Sequence, residues 1–320
     1  EIEDNPEYFR PEREAEILTA IMERNEGPFD DNAMAMIFKT IMSASRALQK
    51  PESVAFLGPL GTFSHAASIK QFGPVMELIP ESSISDVFKA VAADQVDYGI
   101  VPIENSTEGV VNLTLDNFLN TALKITGEVT LPIHQNLHTK DKTQTIKRIY
   151  SHSHSLAQCR NWLNEYYPGV EQVAVASNGL AAQLASEENN TAAVAGELCA
   201  SLYRLETIAE HIEDNPNNTT RFLSIGHKVV APSGNDKTSL VLTAANKPGA
   251  LAALLQALSE EGVNMTLIES RPFQNQMWNY IFFLDIDGHQ DDPAVQRALA
   301  RIAKEPIMLT ILGSYPKAIA

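Results

Sequence analysis

Tyr98-Gly99-Ile100-Val101-Pro102-Ile103 is a short apolar run that leads directly into the polar segment Glu104-Asn105-Ser106-Thr107-Glu108-Gly109. An apolar run of this length, ended by a turn, is typical of a buried strand. Strands of this kind alternate with helical segments from about residue 53 to residue 226, which predicts an α/β domain with mostly parallel pairing. Ligands of open α/β sheets bind at the carboxyl ends of the strands, so we expect residues 104–109 to face a binding site.

The composition is that of an ordinary globular protein. The chain has 320 residues, of which 44% are hydrophobic and 20% are charged, and this length suggests two or three domains. The net charge is −16 and no block of Lys and Arg occurs, so nucleic acid is not an expected partner. No apolar run reaches the roughly eighteen residues that a membrane helix needs. Residues 1–10 are acidic and polar, which is not typical of a signal peptide.

Several classes of site are not expected from the motifs. Cys159 and Cys199 lie in apolar helical patterns and are interpreted as small buried thiols of a cytoplasmic protein. No His, Cys or Asp cluster has the spacing of a metal site, so no metal is expected. Residues 58–61 lack the Gly-Lys-Ser/Thr of a phosphate loop, and the chain has no Gly-x-Ser-x-Gly elbow of a serine hydrolase.

Residues 7–49 are predicted to form a helical hairpin. A helix over 12–24 is followed by a long helix capped by Asp30 or Asp31. The apolar residues of the long helix that recur at helical spacing are Met34, Ile37, Phe38, Ile41 and Leu48. Ser45 interrupts this stripe, with Gln49 one turn later. Two helices of this size cannot bury a stable core alone, so either a further helix precedes them or they pack on other subunits.

The tail follows a linker at 229–236 and has the order strand, helix, strand, strand, helix, strand. The predicted strands cover residues 238–243, 263–271, 279–286 and 307–313, and the predicted helices cover 251–261 and 292–303. This order is that of a ferredoxin-like βαββαβ unit.

The segment Thr219-Thr220-Arg221-Phe222 places hydroxyls, a guanidinium and an aromatic ring side by side. Such a set could hold a small anionic ring and donate a proton to it, whereas the simpler interpretation is a polar strand entry. Arg221 could clamp a carboxylate through a forked pair, or form a structural ion pair with Glu213 or Asp214.

Helix starts and strand ends supply further candidate donors. Thr62, Phe63 and Ser64 stand at a loop-to-helix junction, where free backbone N–H groups and the helix dipole attract anions. The remaining candidates are Asn105, Ser106, Ser151, Ser177 and Asn178. Each of these could instead cap a strand end or a helix. His134 and His152 are interpreted as structural.

Taken in order, residues 58–64, 104–109 and 220–222 resemble the pattern of the prephenate dehydratase family, which reads Gly-Pro-x-Gly-Thr-Phe-Ser, Glu-Asn-Ser-x-Glu-Gly and Thr-Arg-Phe. The resemblance runs from about residue 53 to residue 226, and further agreeing segments lie at 127–134, 156–159 and 193–197. One segment departs from the pattern, because His152-Ser153-His154 stands where the family usually has His-Pro-Gln.

The resemblance implies a two-lobed α/β domain similar to the type II periplasmic binding proteins, with the substrate in the cleft between the lobes. It implies that prephenate loses water and carbon dioxide to become phenylpyruvate, without a cofactor or a metal. Thr220 would then donate a hydrogen bond to the leaving hydroxyl, with Glu104 as a rival acid. The expected catalytic set is Thr220, Arg221, Phe222, Glu104, Asn105 and Ser106.

The two ends of the chain carry resemblances of their own. The hairpin is similar to the second and third helices of the all-helical chorismate mutase family, whose motif residues fall on Arg13, Glu14, Ser45 and Gln49. The first helix of that family is absent from this sequence, so the mutase site is incomplete on this chain. The tail resembles an ACT regulatory domain, with the phenylalanine motif residues at Gly249, Ala250, Leu251, Asn264, Glu269, Ser270 and Arg271. That mode of binding implies a homo-oligomer, a dimer or a tetramer, and the alternative is a dimerisation domain without a ligand.

Three domains are therefore expected, at residues 1–50, 53–228 and 237–320. The resemblance therefore predicts that the protein is a prephenate dehydratase of phenylalanine biosynthesis and that phenylalanine inhibits it. An arogenate dehydratase and a catalytically inert two-lobed sensor of small acids are the alternatives.

Overall fold

The fold is given by a computed structural model that describes residues 9–244, 248–272, 280–303 and 308–318. The N-terminal part is a hairpin of two helices, α1 (Pro11–Glu23) and α2 (Asp31–Ala47). The Asp30 carboxylate accepts the N–H of Ala33 at 2.8 Å, which confirms Asp30 as the cap of α2. The first eight residues of the domain predicted at 1–50 lie outside the described residues.

Much of the apolar stripe predicted for α2 is exposed, although Met34 and Phe38 are half-buried. Ile41 is 53% exposed and Leu48 is 89% exposed, whereas Ser43 and Arg46 are buried. Arg46 donates to the carbonyl of Phe72 at 2.8 Å. The polar face of α2 is thus the one that docks on the central domain, and the apolar pattern alone pointed to the opposite face.

The central domain has two lobes. The elements of the first lobe are β1 (Ser53–Leu57), α3 (Phe63–Phe72), β2 (Glu77–Glu81), α4 (Ile84–Ala92), β3 (Tyr98–Asn105), β4 (Gly109–Val110), α5 (Asn112–Phe118), β5 (Lys124–Pro132) and β11 (Thr219–Gly226). The second lobe comprises β6 (Asn136–Thr139), β7 (Arg148–His152), α6 (Ser153–Gln158), α7 (Arg160–Tyr166), β8 (Glu171–Val175), α8 (Asn178–Glu187), β9 (Thr191–Ala195), α9 (Leu198–Tyr203) and β10 (Glu206–Ala209). The two lobes confirm the expected architecture of the domain.

Each lobe has a mixed sheet. The strand orders are β2-β1-β3-β11-β5, with β4 beside β3, and β10-β6-β9-β7-β8. β1 runs parallel to β2 and β3, and β7 runs parallel to β8 and β9. β11 is antiparallel to both β3 and β5 because it returns from the second lobe. The expectation of mostly parallel pairing was wrong for this reason: the chain crosses between the lobes twice, through residues 133–135 and 210–218.

The C-terminal domain is the predicted βαββαβ unit. Its elements are β12 (Asp236–Ala244), α10 (Ala250–Glu260), β13 (Met265–Pro272), β14 (Tyr280–Asp287), α11 (Pro293–Ile302) and β15 (Leu309–Pro316). The antiparallel sheet has the order β13-β14-β12-β15. The predicted strand positions Asn279 and Ile307 lie outside the described residues.

A shared core joins this domain to the first lobe. Leu312 and Tyr315 of β15 are buried in the same hydrophobic cluster as Ile125 of β5 and Leu223 of β11. A Cβ atom on Gly313 would lie 2.3 Å from the carbonyl oxygen of Ile125, so glycine permits this close approach of the two backbones. None of the described helices is both long and apolar enough to cross a membrane.

Candidate active site

A cavity of about 800 Å³ lies between the two lobes, at the carboxyl ends of β1, β3 and β7. Both lobes contribute side chains to its wall. The predicted residues that line it are Thr62, Phe63, Ser64, Asn105, Ser177, Asn178, Thr220 and Phe222. Phe222 is buried and Thr220 is 8% exposed, so both side chains lie in a closely packed part of the wall.

Asn105 holds the hydroxyl of Thr220. The two residues are paired across β3 and β11, and Asn105 Nδ2 donates to Thr220 Oγ1 at 2.8 Å. The same amide nitrogen donates to Asn218 Oδ1 at 2.8 Å, while Asn105 Oδ1 accepts the N–H groups of Thr107 and Glu108. Thr220 Oγ1 thus acts as an acceptor toward Asn105, and this bond does not use the proton of the threonine hydroxyl.

Arg221 lies on the other face of β11, because successive side chains of a strand point to opposite sides. Its Nη1 bonds to Asp285 of the C-terminal domain at 2.6 Å and to Glu128 at 3.1 Å. Burial opposes its charged form, but Asp285 and Glu128 together raise its pKa above the ordinary value. The structure therefore places Arg221 outside the cavity wall as an ion pair. Its partners are not the Glu213 or Asp214 considered from the sequence, since those residues lie on the crossing segment at 210–218.

Two ten-residue helices from opposite lobes begin at the cavity. Thr62 caps α3, where its hydroxyl accepts the N–H of His65, and Ser177 caps α8, where its hydroxyl accepts the N–H of Leu180. The next backbone N–H groups of each helix lack partners within the helix and carry the positive end of its dipole. The described residues that line the cavity include no Lys or Arg, so these helix starts are its principal positive groups.

Asn178 is fixed by a buried network in the second lobe. Its Oδ1 accepts from Ser151 Oγ and from the N–H of His152, both at 3.1 Å, and its Nδ2 donates to Ser155 Oγ at 2.9 Å. Ser151 is fully buried and also bonds the carbonyl of Val194. Ser151 does not line the cavity, and it orients Asn178 from behind.

Glu104 and Ser106 do not line the cavity either. Glu104 points toward Arg221, with its Oε2 3.6 Å from Nε, and Ser106 Oγ accepts the N–H of Thr219. The carboxylates that line the cavity are Glu81 and Glu108, and Glu108 lies four residues after Glu104. The turn after β3 reverses the direction of the chain. As a result Glu108, and not the expected Glu104, reaches the cavity.

Sequence reasoning missed several polar lining residues, and it treated His152 as structural. The missed residues are Glu81, Ser82, Glu108, Gln135, His154, Ser155 and Gln158. His154 Nδ1 lies 2.8 Å from Glu108 Oε2, so side chains of the two lobes meet across the cavity at hydrogen-bonding distance. Burial and the neighbouring His154 lower the pKa of His152. The available signal was the departure from the family pattern at 152–154, which the structure places where β7 ends and α6 begins.

The candidate residues at the two ends of the chain lie apart from this cavity. Glu14 is paired with buried Arg46, while Arg13 is exposed and bonds Glu16. Ser45 and Gln49 are exposed, and Ser45 Oγ bonds the carbonyl of Ile41. The hairpin thus does not gather these four residues into one site.

In the C-terminal domain, Gly249 precedes α10 with a φ of 83°, so Ala250 and Leu251 open the helix as expected. Asn264 bonds Asp287, and Glu269 and Ser270 lie on the edge strand β13. Arg271 instead donates to the carbonyl of Asn112 at 2.8 Å and pairs with Asp116 of the first lobe.

Comparisons with known proteins agree with the three parts of this chain. The sequence matches the Prephenate dehydratase family at residues 54–230, the ACT domain family at 238–304 and the Chorismate mutase type II family at 2–50. The bifunctional chorismate mutase/prephenate dehydratase of Pseudomonas aeruginosa is 50% identical over 316 residues, which cover 98% of this chain and 87% of the relative.

Solved structures agree as well. The prephenate dehydratase of Arthrobacter aurescens in complex with L-Phe is 36% identical, with a TM-score of 0.76 and coverage of 83% of this chain and 90% of that chain. The structure of GqqA, described as a novel type of quorum quenching acylase, is 29% identical, with a TM-score of 0.76 and coverage of 83% and 98%. The extent of the first family match and the identity to the Pseudomonas protein settle the relationship: the chain belongs to the prephenate dehydratase family, in its form with a chorismate mutase segment and an ACT domain.

Proposed function

We propose that the cavity between the lobes converts prephenate to phenylpyruvate, with Thr220 as the group that assists departure of the ring hydroxyl. The observation that carries this proposal is the bond from Asn105 Nδ2 to Thr220 Oγ1, which leaves the threonine proton directed at a bound molecule. Membership of the family supports the same reaction.

The substrate's two carboxylates suit the two helix starts. Prephenate carries one carboxylate on the ring and one on the side chain, and α3 and α8 present free N–H groups from opposite lobes. Binding across the cleft would hold the ring between the lobes, beside Phe222. Carboxylate capture by backbone groups also explains how a chain of net charge −16 can bind a dianion.

In the reaction, the carbon–carbon bond to the ring carboxylate breaks and releases carbon dioxide. The electron pair of that bond enters the ring, the carbon–oxygen bond breaks, and the departing oxygen takes up a proton to leave as water. Threonine is a weak acid, so Thr220 contributes a hydrogen bond that strengthens as negative charge grows on the oxygen. The ring becomes aromatic, and no electrons are gained or lost overall.

The direct test is phenylpyruvate formation by the purified chain from prephenate, beside a parallel assay of phenylalanine formation from arogenate. Faster turnover of prephenate is expected. Faster turnover of arogenate would assign the chain to the related reaction, and binding of prephenate without any turnover would favour an inert sensor.

Phenylalanine is the proposed ligand of the C-terminal domain. The helix start at 249–251 can receive its carboxylate, and Glu269 on the edge strand β13 can receive its ammonium group. The L-Phe complex of the Arthrobacter relative supports this choice. Phenylalanine should lower the turnover of prephenate, and Gly249→Val should remove this inhibition while leaving turnover in place, because a valine is strained at a φ of 83°.

A homo-oligomer, a dimer or a tetramer, is the proposed assembly. The exposed apolar side chains of α2, such as Ile41 and Leu48, favour a further helical partner for the hairpin. Chorismate mutase activity is proposed only for a hairpin completed by such a partner, because Ser45 and Gln49 are exposed while Glu14 is paired with Arg46. Sedimentation of the chain and of Ile41→Glu, with an assay of chorismate turnover, tests both points.

A further inference from the structure

Two histidines and a glutamate meet where the chain crosses between the lobes. His134 lies on the first crossing segment, at 133–135, and His211 and Glu213 lie on the second, at 210–218. The Nδ1 atoms of the two histidines are 3.0 Å apart. Glu213 Oε1 lies 2.7 Å from His134 Nδ1 and 3.9 Å from His211 Nδ1. Among the described residues, this is the group of three potential ligand side chains whose ligand atoms converge.

Hydrogen bonds among these three side chains do not give each of the three ligand atoms a partner of its own, whichever ring nitrogen carries the proton. If His134 Nδ1 carries a proton, Glu213 Oε1 and His211 Nδ1 both compete to accept it. If His211 Nδ1 carries the proton and donates it to His134, then the lone pair of Glu213 faces a ring nitrogen that has no proton to give. A cation placed between the three atoms would be bound by all of them at once.

The distances suit a tetrahedral metal ion. Zinc binds imidazole nitrogen and carboxylate oxygen at about 2.0–2.1 Å, which places tetrahedral ligands about 3.3 Å from one another. The three observed separations lie on both sides of this value. Rotation of the exposed His211 ring changes its own two separations, and the shorter distance between His134 and Glu213 would lengthen by about 0.6 Å on binding. Three protein ligands leave a fourth position for water.

The surrounding structure already holds the ligands in place. Glu213 Oε2 accepts the N–H of Gln135 at 2.8 Å, which fixes the carboxylate and leaves Oε1 directed at the histidines. His211 has a φ of 53°, a left-handed conformation that is costly for a residue other than glycine, and its N–H donates to Asn136 Oδ1 at 2.9 Å. Strained backbone of this kind is concentrated at sites that hold a ligand.

We propose that His134, His211 and Glu213 form a binding site for a divalent transition metal of the zinc class. The ion would join the two crossing segments and thereby brace the hinge between the lobes. The spacing in sequence could not reveal the site, because 77 residues separate the two histidines. The site lies outside the dehydratase cavity, and the proposal does not depend on the dehydratase activity.

Zinc titration of the metal-free chain, without a polyhistidine tag, tests the proposal by calorimetry. We expect one Zn²⁺ per chain. His211→Ala should weaken binding more than about tenfold, since the loss of even an outer partner of a metal ligand weakens binding by about that factor. His211 is exposed, so this variant should fold normally. Glu213→Gln keeps an acceptor for the N–H of Gln135 but removes the charge, and it should weaken binding as well.

His227→Ala is the matched control. His227 is another half-exposed histidine beside a carboxylate, Asp94, but it belongs to the first lobe away from the hinge. Its removal should leave zinc binding unchanged. Replacement of zinc by Co²⁺ should give the strong visible absorption of tetrahedral cobalt, and this absorption should be absent from His211→Ala. Equal binding by wild type and His211→Ala, or no binding by the wild type, would overturn the proposal.

Discussion

At the scale of single residues, the direction of one hydrogen bond determines whether Thr220 can donate its proton to the substrate. Asn105 is an amide, and its nitrogen donates to the threonine oxygen. The motif in the sequence identified both residues, and the strand pairing explains why they meet. The motif could not predict where the Arg221 side chain lies. Its orientation depends on the alternation of side chains along β11, and its partner Asp285 lies in another domain.

Asn105→Asp should lower kcat by about 10²-fold or more, even though the two side chains have nearly the same shape. The aspartate can only accept a hydrogen bond, so Thr220 would donate its proton to it and not to the substrate. Its oxygen would still accept the N–H groups of Thr107 and Glu108, so the turn should persist. Asn117→Asp, at an amide on α5, is the control. Full activity of Asn105→Asp would show that the bond does not orient Thr220.

A buried histidine makes stability dependent on pH. Burial lowers the pKa of His138, although its bond to the carbonyl of Gly196 opposes the change. In the unfolded chain the imidazole regains a pKa of about 6.5, so the unfolded state binds more protons below that value and stability falls with falling pH. The urea midpoint should therefore drop between about pH 7.5 and 5.5, and it should drop less for His138→Gln. An equal drop in both proteins would assign the effect to other groups.

At the scale of elements, patterns of residue type predicted the helices and strands of the hairpin and of the C-terminal domain to within a few positions. Ser151, interpreted from the sequence as a helix start, lies instead in strand β7. Asp30, as a helix cap, predicted the start of α2, and the apolar run at 98–103 predicted strand β3. The buried face of α2 was not predictable, because it is polar. Arg46 on this face is paired with Glu14 and Glu52 and lies over the ring of Phe9. Glu14 lies on α1 and Phe9 lies just before that helix, while Glu52 and the carbonyl of Phe72 complete the surroundings of Arg46 from the side of the central domain.

Arg46→Ala should lower the free energy of unfolding by about 3–5 kcal/mol, because it removes the buried guanidinium that lies between the carboxylates of Glu14 and Glu52. Arg13→Ala removes an exposed arginine from the same hairpin and should change the value by less than about 1 kcal/mol. Urea unfolding of both variants measures the difference. Similar effects of the two substitutions would mean that the hairpin is not held by Arg46.

At the scale of the whole molecule, a charged network connects the ACT domain to the strand that carries Thr220. Arg221 of β11 bonds Asp285 of β14, and Lys237 of β12 bonds Glu128 of β5 at 2.8 Å. Burial alone would raise the pKa of Glu128, but Lys237 and Arg221 lower it below the ordinary value. The sequence could not show this network, because its members come from strands of two different sheets.

Asp285→Asn should weaken inhibition by phenylalanine at least about fivefold, measured as the concentration that halves turnover, because it removes a charge that links the two sheets. Asp291→Asn makes the same substitution at an exposed position of the same domain and should leave inhibition unchanged. If both variants were inhibited like the wild type, the network would have no part in the coupling.

The most direct test of the whole account is the rate of phenylpyruvate formation from prephenate by wild type, Thr220→Ser and Thr220→Ala. The serine variant retains the hydroxyl and should retain much of the rate. The alanine variant should lose about 10²–10⁴-fold in kcat while it still binds prephenate, because the hydrogen bond to the leaving oxygen is gone. Equal rates for wild type and Thr220→Ala would contradict the central role of Thr220.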